Sequence, residues 1–166
     1  MKDIFEGYDT DKNTKHSYGE FYYKLLTPLK EKRINIFEVG YFKGASAAFF
    51  ADYCTKARVR SIDIGECPQP PNKRIRLNIM SIHDIPRGYF KGFPIDIAID
   101  DGSHKLEDQI KFVEVVYPAM REGGVIVIED LQDISHVGAF SRWPFEVIDL
   151  RHVKDRYDDI LLVCKG

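Results

Sequence analysis

The sequence predicts a doubly wound α/β fold, with a mostly parallel seven-stranded sheet, helices on both faces and an antiparallel hairpin at the C-terminal end. Three observations carry this. Short apolar runs without polar alternation recur along the chain, as strands covered on both faces require. They alternate with stretches of helical periodicity. The last two runs, Phe145–Leu150 and Ile160–Cys164, are separated only by a short polar segment containing Arg156-Tyr157-Asp158-Asp159, a spacing that suits a hairpin.

From His16 to Leu29, the residues Tyr18, Phe21, Tyr22, Leu25, Leu26 and Leu29 fall at helical spacing with Pro28 near the end, which predicts an amphipathic helix. Asn35–Val39 is a strand that stops at Gly40, and Ala45–Tyr53 is a helix that starts after Gly44. Arg58–Ile64 is the next strand, Pro68–Pro71 a rigid loop, and Lys73-Arg74-Ile75-Arg76 a solvated strand entry. Ile95–Ile99 is a strand, Lys105–Met120 a helix ended by Glu122-Gly123-Gly124, and Val125–Ile128 a fully apolar strand. At 166 residues, with no repeat, linker or low-complexity tract, residues 1–166 are expected to form a single domain.

Lys plus Arg number 24 against 26 Asp plus Glu, so there is no global basic field to draw the chain to nucleic acid or an acidic membrane. Cys54, Cys67 and Cys164 are odd in number, far apart and free of any C-x-x-C spacing, which argues for reduced thiols rather than disulfides or a zinc site. Met1–Glu6 carries acids where a signal peptide has its apolar core, and no apolar run reaches the ~18 residues of a membrane span. The expected location is the cytoplasm.

In open α/β sheets, ligands bind beyond the carboxyl ends of the strands, so the chemistry is sought there. After the first strand comes Glu38-Val39-Gly40-Tyr41-Phe42-Lys43-Gly44-Ala45-Ser46, whose glycines let backbone approach a ligand. Asp63 follows roughly twenty residues later, where nucleoside-binding folds place the acid that accepts from ribose hydroxyls. Asp100-Asp101-Gly102-Ser103-His104 and Glu129-Asp130 put four carboxylates at the tips of two strands expected to be neighbours. Such acids repel unless they cap the following helix and loop or share a cation. With oxygen ligands that cation is Mg²⁺, Mn²⁺ or Ca²⁺. His104 reaches the same cavity and suits a general base near neutral pH. His83 and His152 read as surface residues, whereas His136 lies in the long loop from Leu131 to Trp143. Phe21, Tyr22 and Tyr23 read as helix packing, and Trp143 either covers a sugar ring or plugs the sheet edge.

Thr10-Asp11-Lys12 with His16 and Tyr18, Glu38-x-Gly40-x-x-x-Gly44-x-Ser46, Asp100-Asp101-Gly102-Ser103-His104 and Ile128-Glu129-Asp130 together resemble the class I S-adenosylmethionine-dependent methyltransferases, which have a Rossmann-like sheet. The resemblance is nearest to the metal-dependent sugar O-methyltransferases of macrolide biosynthesis and the related cephalosporin hydroxylase and rhamnosyl O-methyltransferase group. It implies methyl transfer from S-adenosylmethionine to a hydroxyl of a sugar or glycosylated small molecule, assisted by Mg²⁺. It implies Asp101, Glu129 and Asp130 as metal ligands, Asp101 and His104 as catalytic residues with His104 the base, and Asp63 on the ribose. Glu38, Gly40, Gly44, Ser46 and Asp100 would line the cofactor pocket. Thr10, Lys12, His16 and Tyr18 would fold over the cofactor, unless Thr10 is a plain helix cap. Phe42 departs from the middle glycine of the common methyltransferase loop. Family members carry extra segments that build the acceptor pocket and oligomer contacts, so the acceptor site is expected to be either open or completed by another subunit, in a homo-oligomer. Two other readings stay open: a cofactor-binding module without turnover of its own, and an NAD-dependent oxidoreductase using Gly40, Gly44 and Asp63. Base methylation is disfavoured by the lack of an Asn-Pro-Pro-Tyr-type motif.

Overall fold

The computed structural model describes residues 4–166, so the sequence reading at Met1–Asp3 lies outside the described residues. The chain begins with a one-turn helix, α1 (Asp11–Thr14), and then α2 (Gly19–Leu26), extended by a 3-10 turn at Thr27–Leu29. Next come β1 (Asn35–Val39), α3 (Ala45–Tyr53), β2 (Arg58–Asp63), β3 (Ile75–Ile79), β4 (Ile95–Asp100), α4 (Leu106–Val116) and β5 (Met120–Ile128). β6 (Phe145–Asp149), α5 (Arg151–Lys154) and β7 (Ile160–Lys165) complete the chain. The sheet order is β3-β2-β1-β4-β5-β7-β6, a Rossmann-like arrangement that reverses direction between β1 and β4. β1 to β5 pair in parallel, while β7 is antiparallel to both β5 and β6. The antiparallel strand is thus one place in from the edge, and β6 forms the edge itself.

Alternate strand residues point to opposite faces, and both faces are covered. Ile36, Ile97, Ile99, Val127, Leu161 and Val163 pack on the side of α2 and α3 with Tyr22, Leu26, Phe49 and Phe50. Phe37, Ala98, Ile126, Ile128, Leu162 and Cys164 pack on the side of α4 with Phe112, Val113 and Val116. Two-sided burial is why these strands read as unbroken apolar runs.

Two element boundaries differ from the sequence expectation for local reasons. The amphipathic helix starts at Gly19 rather than His16, because residues 10–18 make a separate turn in which the Tyr18 N–H donates to Lys12 O at 2.9 Å. Gly19 permits this: a Cβ there would lie 2.5 Å from Asn13 Oδ1. The helix expected to run to Met120 ends at Val116 with a 3-10 turn, and β5 begins at Met120, because Met120–Gly124 bulge within the strand between the pairings Ile95↔Met120 and Ile97↔Val125.

The loops leaving β1 and β4 cross at Gly40. Its φ is +93°, and a Cβ would lie 1.9 Å from the carbonyl oxygen of Asp101. Asp101 N–H donates to Val39 O at 2.9 Å and Gly40 N–H to Ile62 O at 3.0 Å, so three strand ends are locked together here. Gly40→Ala is therefore expected to destabilise the protein by about 2–5 kcal/mol, from left-handed strain plus overpacking. Urea denaturation checks this.

Candidate active site

A cleft of about 720 Å³ opens beyond the carboxyl ends of β1, β2 and β4. Its walls are the turn at Gly40–Lys43, the ends of β2 and β3, the Asp100–Ser103 loop and the N-terminal segment around Asp9–Lys15. Of the residues expected at a cofactor, Thr10, Gly40, Ser46, Asp63 and Asp100 line this cleft, as does Asp101. Asp63 Oδ2 accepts from Phe42 N–H at 2.8 Å and Oδ1 from Gly65 N–H at 3.0 Å, which fixes the carboxylate against the glycine turn. Phe42 has a φ of +48° and, like Ile64, is exposed at the mouth.

Glu38 and Gly44 lie behind the wall. Gly44, with φ +78°, caps α3 where a Cβ would collide with the Tyr41 ring at 2.3 Å. Glu38 is fully buried; it accepts from Ser46 Oγ–H through one oxygen and from Ser61 Oγ–H at 3.0 Å through the other. Burial pushes its carboxyl up to about 7, against the lowering effect of Lys12 and Ser46. Asp100 is likewise pushed up to about 7 by burial; its Oδ1 accepts from Gly102 N–H at 3.2 Å and its Oδ2 is buried without a partner among the described residues.

Beside the cleft, the acids at the ends of β4 and β5 meet residues from the N-terminal segment. Lys12 is fully buried, and its Nζ donates to Asp101 Oδ2 at 2.7 Å and Glu129 Oε2 at 2.6 Å. Burial alone would lower its pKa, but Asp101, Glu129 and Glu38 together raise it well above the usual lysine value, so the ammonium is charged. Tyr22 OH donates to the other oxygen of Glu129. Tyr18 OH donates to Asp130 Oδ1 at 2.5 Å and accepts from the Asp130 N–H at 3.3 Å. His16 stacks on Tyr18, with Nδ1 3.2 Å from Asp130 Oδ1 and 3.4 Å from Asp159 Oδ1. Burial raises the pKa of both Glu129 and Asp130.

Of the four N-terminal residues expected at the cofactor, Thr10 lines the cleft, whereas Lys12, His16 and Tyr18 pair with the carboxylates beside it. Asp101, His104 and Asp130 each offer a ligand atom, all within 4.8 Å of one another. His104 Nε2 lies 3.7 Å from Asp130 Oδ2, and its Nδ1 is buried without a partner among the described residues. His104 (φ +58°) and Asp130 (φ +54°) are both left-handed, the strained backbone found where structure holds a side chain in place. Two carboxylates around a shared space fit a hard divalent cation such as Mg²⁺ or Mn²⁺, with the His104 imidazole beside them. Glu129 lies beside this group, with its oxygens on Lys12 and Tyr22.

Several functional contacts are not among the sequence expectations. Tyr22 does pack in the helix, but a hydroxyl on an apolar stripe was the signal for its bond to Glu129. Asp108 lines the cleft and joins Ser103 Oγ at 2.5 Å to His83 Nε2 at 2.7 Å. Asp159 is fully buried and accepts from Ser17 N–H at 3.1 Å. His136, within the 3-10 segment Ile134–Phe140, and Trp143, just after it, are half-buried and outside the cleft lining. Among the described residues no helix is long and apolar enough to cross a membrane.

The sheet order, with its antiparallel C-terminal strands, matches the Rossmann-like fold of solved methyltransferases. No family model matches the chain. It is 26% identical over 148 residues to 8-demethyl-8-alpha-L-rhamnosyl tetracenomycin-C 2'-O-methyltransferase of Streptomyces olivaceus, covering 81% of this chain and 36% of that protein. It is 27% identical over 134 residues to L-olivosyl-oleandolide 3-O-methyltransferase of Streptomyces antibioticus, covering 74% and 35%. Among solved structures, the mycinamycin-pathway methyltransferase MycE, in complex with Mg and SAH, superposes with a TM-score of 0.70 at 19% identity, over 91% of this chain and 50% of that one. The chain therefore spans about a third of the length of the curated relatives it matches. The resemblance read from the motifs is borne out by these named sugar O-methyltransferases.

The raised Glu38 pKa has a consequence for stability. Between the usual carboxyl value of 4.5 and about 7, the folded protein holds a proton that the unfolded chain has released, so stability falls as pH rises through that window. Urea denaturation between pH 5 and 8 is expected to show this fall. Glu38→Gln is expected to flatten it by about 1–3 kcal/mol, leaving the part due to Asp100, Glu129 and Asp130.

Proposed function

We propose that this chain binds S-adenosylmethionine in the cleft and transfers its methyl group to a hydroxyl of a sugar or glycosylated small molecule, with a divalent cation beside it. One observation carries the reading: the cleft bounded by the Gly40 turn and Asp63 is lined by Asp101, which also belongs to the group with His104 and Asp130. The relatives named as sugar O-methyltransferases support it.

In this reading Asp63 accepts from the ribose hydroxyls, and the Gly40 turn lets backbone approach the cofactor. Asp101, Glu129 and Asp130 would hold the cation, with Lys12 paired to Asp101 and Glu129 beside it. When bound, the cation lowers the pKa of a nearby hydroxyl. His104 takes the hydroxyl proton as the oxygen attacks the sulfonium methyl; the new C–O bond forms as the C–S bond breaks, and neutral S-adenosylhomocysteine leaves. The near-balanced charge fits a small-molecule acceptor rather than nucleic acid, and the proposed location is the cytoplasm.

The test is calorimetric titration of S-adenosylhomocysteine with Mg²⁺ and then with chelator, using NAD⁺ as control, followed by turnover on a panel of glycosides. Binding of the homocysteine compound without NAD⁺ binding is expected, with Asp63→Asn weakening it at least about tenfold. His104→Ala is expected to bind within about threefold of the parent and to lose at least about a hundredfold in turnover. Unchanged turnover in His104→Ala refutes the base. Binding without turnover on any glycoside would favour a cofactor-binding module, and NAD⁺ binding alone would overturn the methyltransferase reading.

A further inference from the structure

Tyr157 is exposed and anchored at once. Its side chain is 66% exposed, yet its hydroxyl donates to Gln132 Oε1 at 3.1 Å, and Gln132 Nε2 in turn donates to the Asp130 carbonyl at 2.9 Å. The chain leaving β5 and the chain entering β7 are joined again where Leu131 N–H donates to Ile160 O at 3.3 Å. An aromatic face is thus held in solvent two hydrogen bonds away from Asp130, whose carboxylate faces His104.

The sheet order places that face. The cofactor cleft lies beyond the ends of β1, β2 and β4, and the carboxylates beside it stand at the ends of β4 and β5. β7 is antiparallel to β5, with Leu162 opposite Ile128, so the segment that enters β7 stands at the same end of the sheet, one strand further out. The carboxylates therefore lie between the cofactor cleft and Tyr157. In-line transfer needs the acceptor oxygen on the side of the methyl group away from sulfur, and an acceptor that approaches from the β7 side meets that need.

Tyr157 also borders a shallow basin of about 570 Å³, together with Asp149, Arg151, His152, Asp155 and Arg156. Its arginines are already matched. Arg151 donates to both oxygens of Asp149 at 2.9 and 2.6 Å, and Arg156 donates to Asp158 at 3.0 Å. With Asp155 beside them, the basin has no surplus of positive charge to attract a phosphate or a uronate. A neutral pyranose suits it: one face of the ring is a patch of C–H groups that lies on an aromatic face, and the rim is hydroxyls that polar side chains can meet. Fixing the tyrosine by its hydroxyl lowers the entropy lost when the sugar settles.

We propose that Tyr157 is the acceptor platform of this site, a specificity-determining residue on which a neutral pyranose lies with one hydroxyl turned toward Asp101, Glu129 and Asp130. The inference deepens the methyltransferase reading and rests on it.

The experiment is saturation-transfer NMR on the whole chain with Mg²⁺ and S-adenosylhomocysteine. The neutral probes are the methyl glucoside, galactoside, mannoside and 6-deoxymannoside, and the charged probes are the methyl glucuronoside and galacturonoside. The parent is compared with Tyr157→Phe and Tyr157→Ala, and calorimetry gives the S-adenosylhomocysteine affinity of each. The parent is expected to bind neutral pyranosides and to prefer them to the uronates. Tyr157→Phe keeps the ring and is expected to bind the best neutral probe within about threefold of the parent, whereas Tyr157→Ala binds it at least about tenfold more weakly. S-adenosylhomocysteine affinity is expected to stay within about threefold in both variants. A tyrosine with only a structural role would lower Tm without moving pyranoside affinity. If Tyr157→Ala does not fold, Tyr157→Leu takes its place with the same expected loss. No neutral pyranoside bound by the parent, a preference for the uronates, or unchanged pyranoside affinity in the folded non-aromatic variant overturns the proposal. Failure of the parent to bind S-adenosylhomocysteine overturns the methyltransferase reading, and this role for Tyr157 with it. That outcome is distinct from cofactor binding beside a pyranoside site indifferent to Tyr157, which leaves the reading standing and removes only the inference.

Discussion

The Lys12 ammonium between Asp101 and Glu129 is the interaction on which the rest of the site depends. β1, β4 and β5 end side by side, and each ends in carboxylates: Glu38, Asp100 with Asp101, and Glu129 with Asp130. Most are buried, and a buried charge costs several kcal/mol unless it is paired, hydrogen-bonded or neutralised. The N-terminal segment supplies the compensation, with Lys12, His16 and Tyr18 approaching from before α2 and Tyr22 from within it. That requirement bends the chain into a separate turn before Gly19, and the same bend lays Asp9–Thr14 along the cleft. One wall of the cleft and the balance of charge beside it are therefore set by one segment.

Backbone geometry does the complementary work. The crossing at Gly40 and Asp101 brings two loops to a separation that tolerates no Cβ, so the glycine turn and the acid motif are held as one unit. Left-handed φ angles at His104 and Asp130 aim the imidazole and the carboxylate toward a common space. Such strain persists only where the surroundings over-determine it. Here Asp130 is gripped by Tyr18 from two directions, and the loop before His104 is held by the contact between Ser103 and Asp108.

The C-terminal hairpin contributes more than an edge. By inserting β7 between β5 and β6, it brings Asp159 to His16 and Ser17 and Lys154 to the carbonyls of the N-terminal segment. The last elements of the chain thereby fix the first, and the site lies between them.

By itself, the sequence determined the sheet and the positions of the acids at its carboxyl end. Ile36-Phe37, Ile97-Ala98-Ile99 and Val125–Ile128 are apolar on both faces, and burial on both faces is a local pattern that needs no knowledge of partners. Strand ends then fall where those runs stop, so Glu38, Asp63, Asp100-Asp101 and Glu129-Asp130 could be placed at one edge. The tertiary structure decided which charges meet. Lys12 and Glu129 are 117 residues apart in sequence, and Tyr18 and Asp130 are 112 apart. Nothing in a local period distinguishes a lysine that covers a cofactor from one that neutralises a buried acid. That choice is made by the cost of leaving a charge unpaired in the interior, a cost that exists only once the strands have brought the carboxylates together.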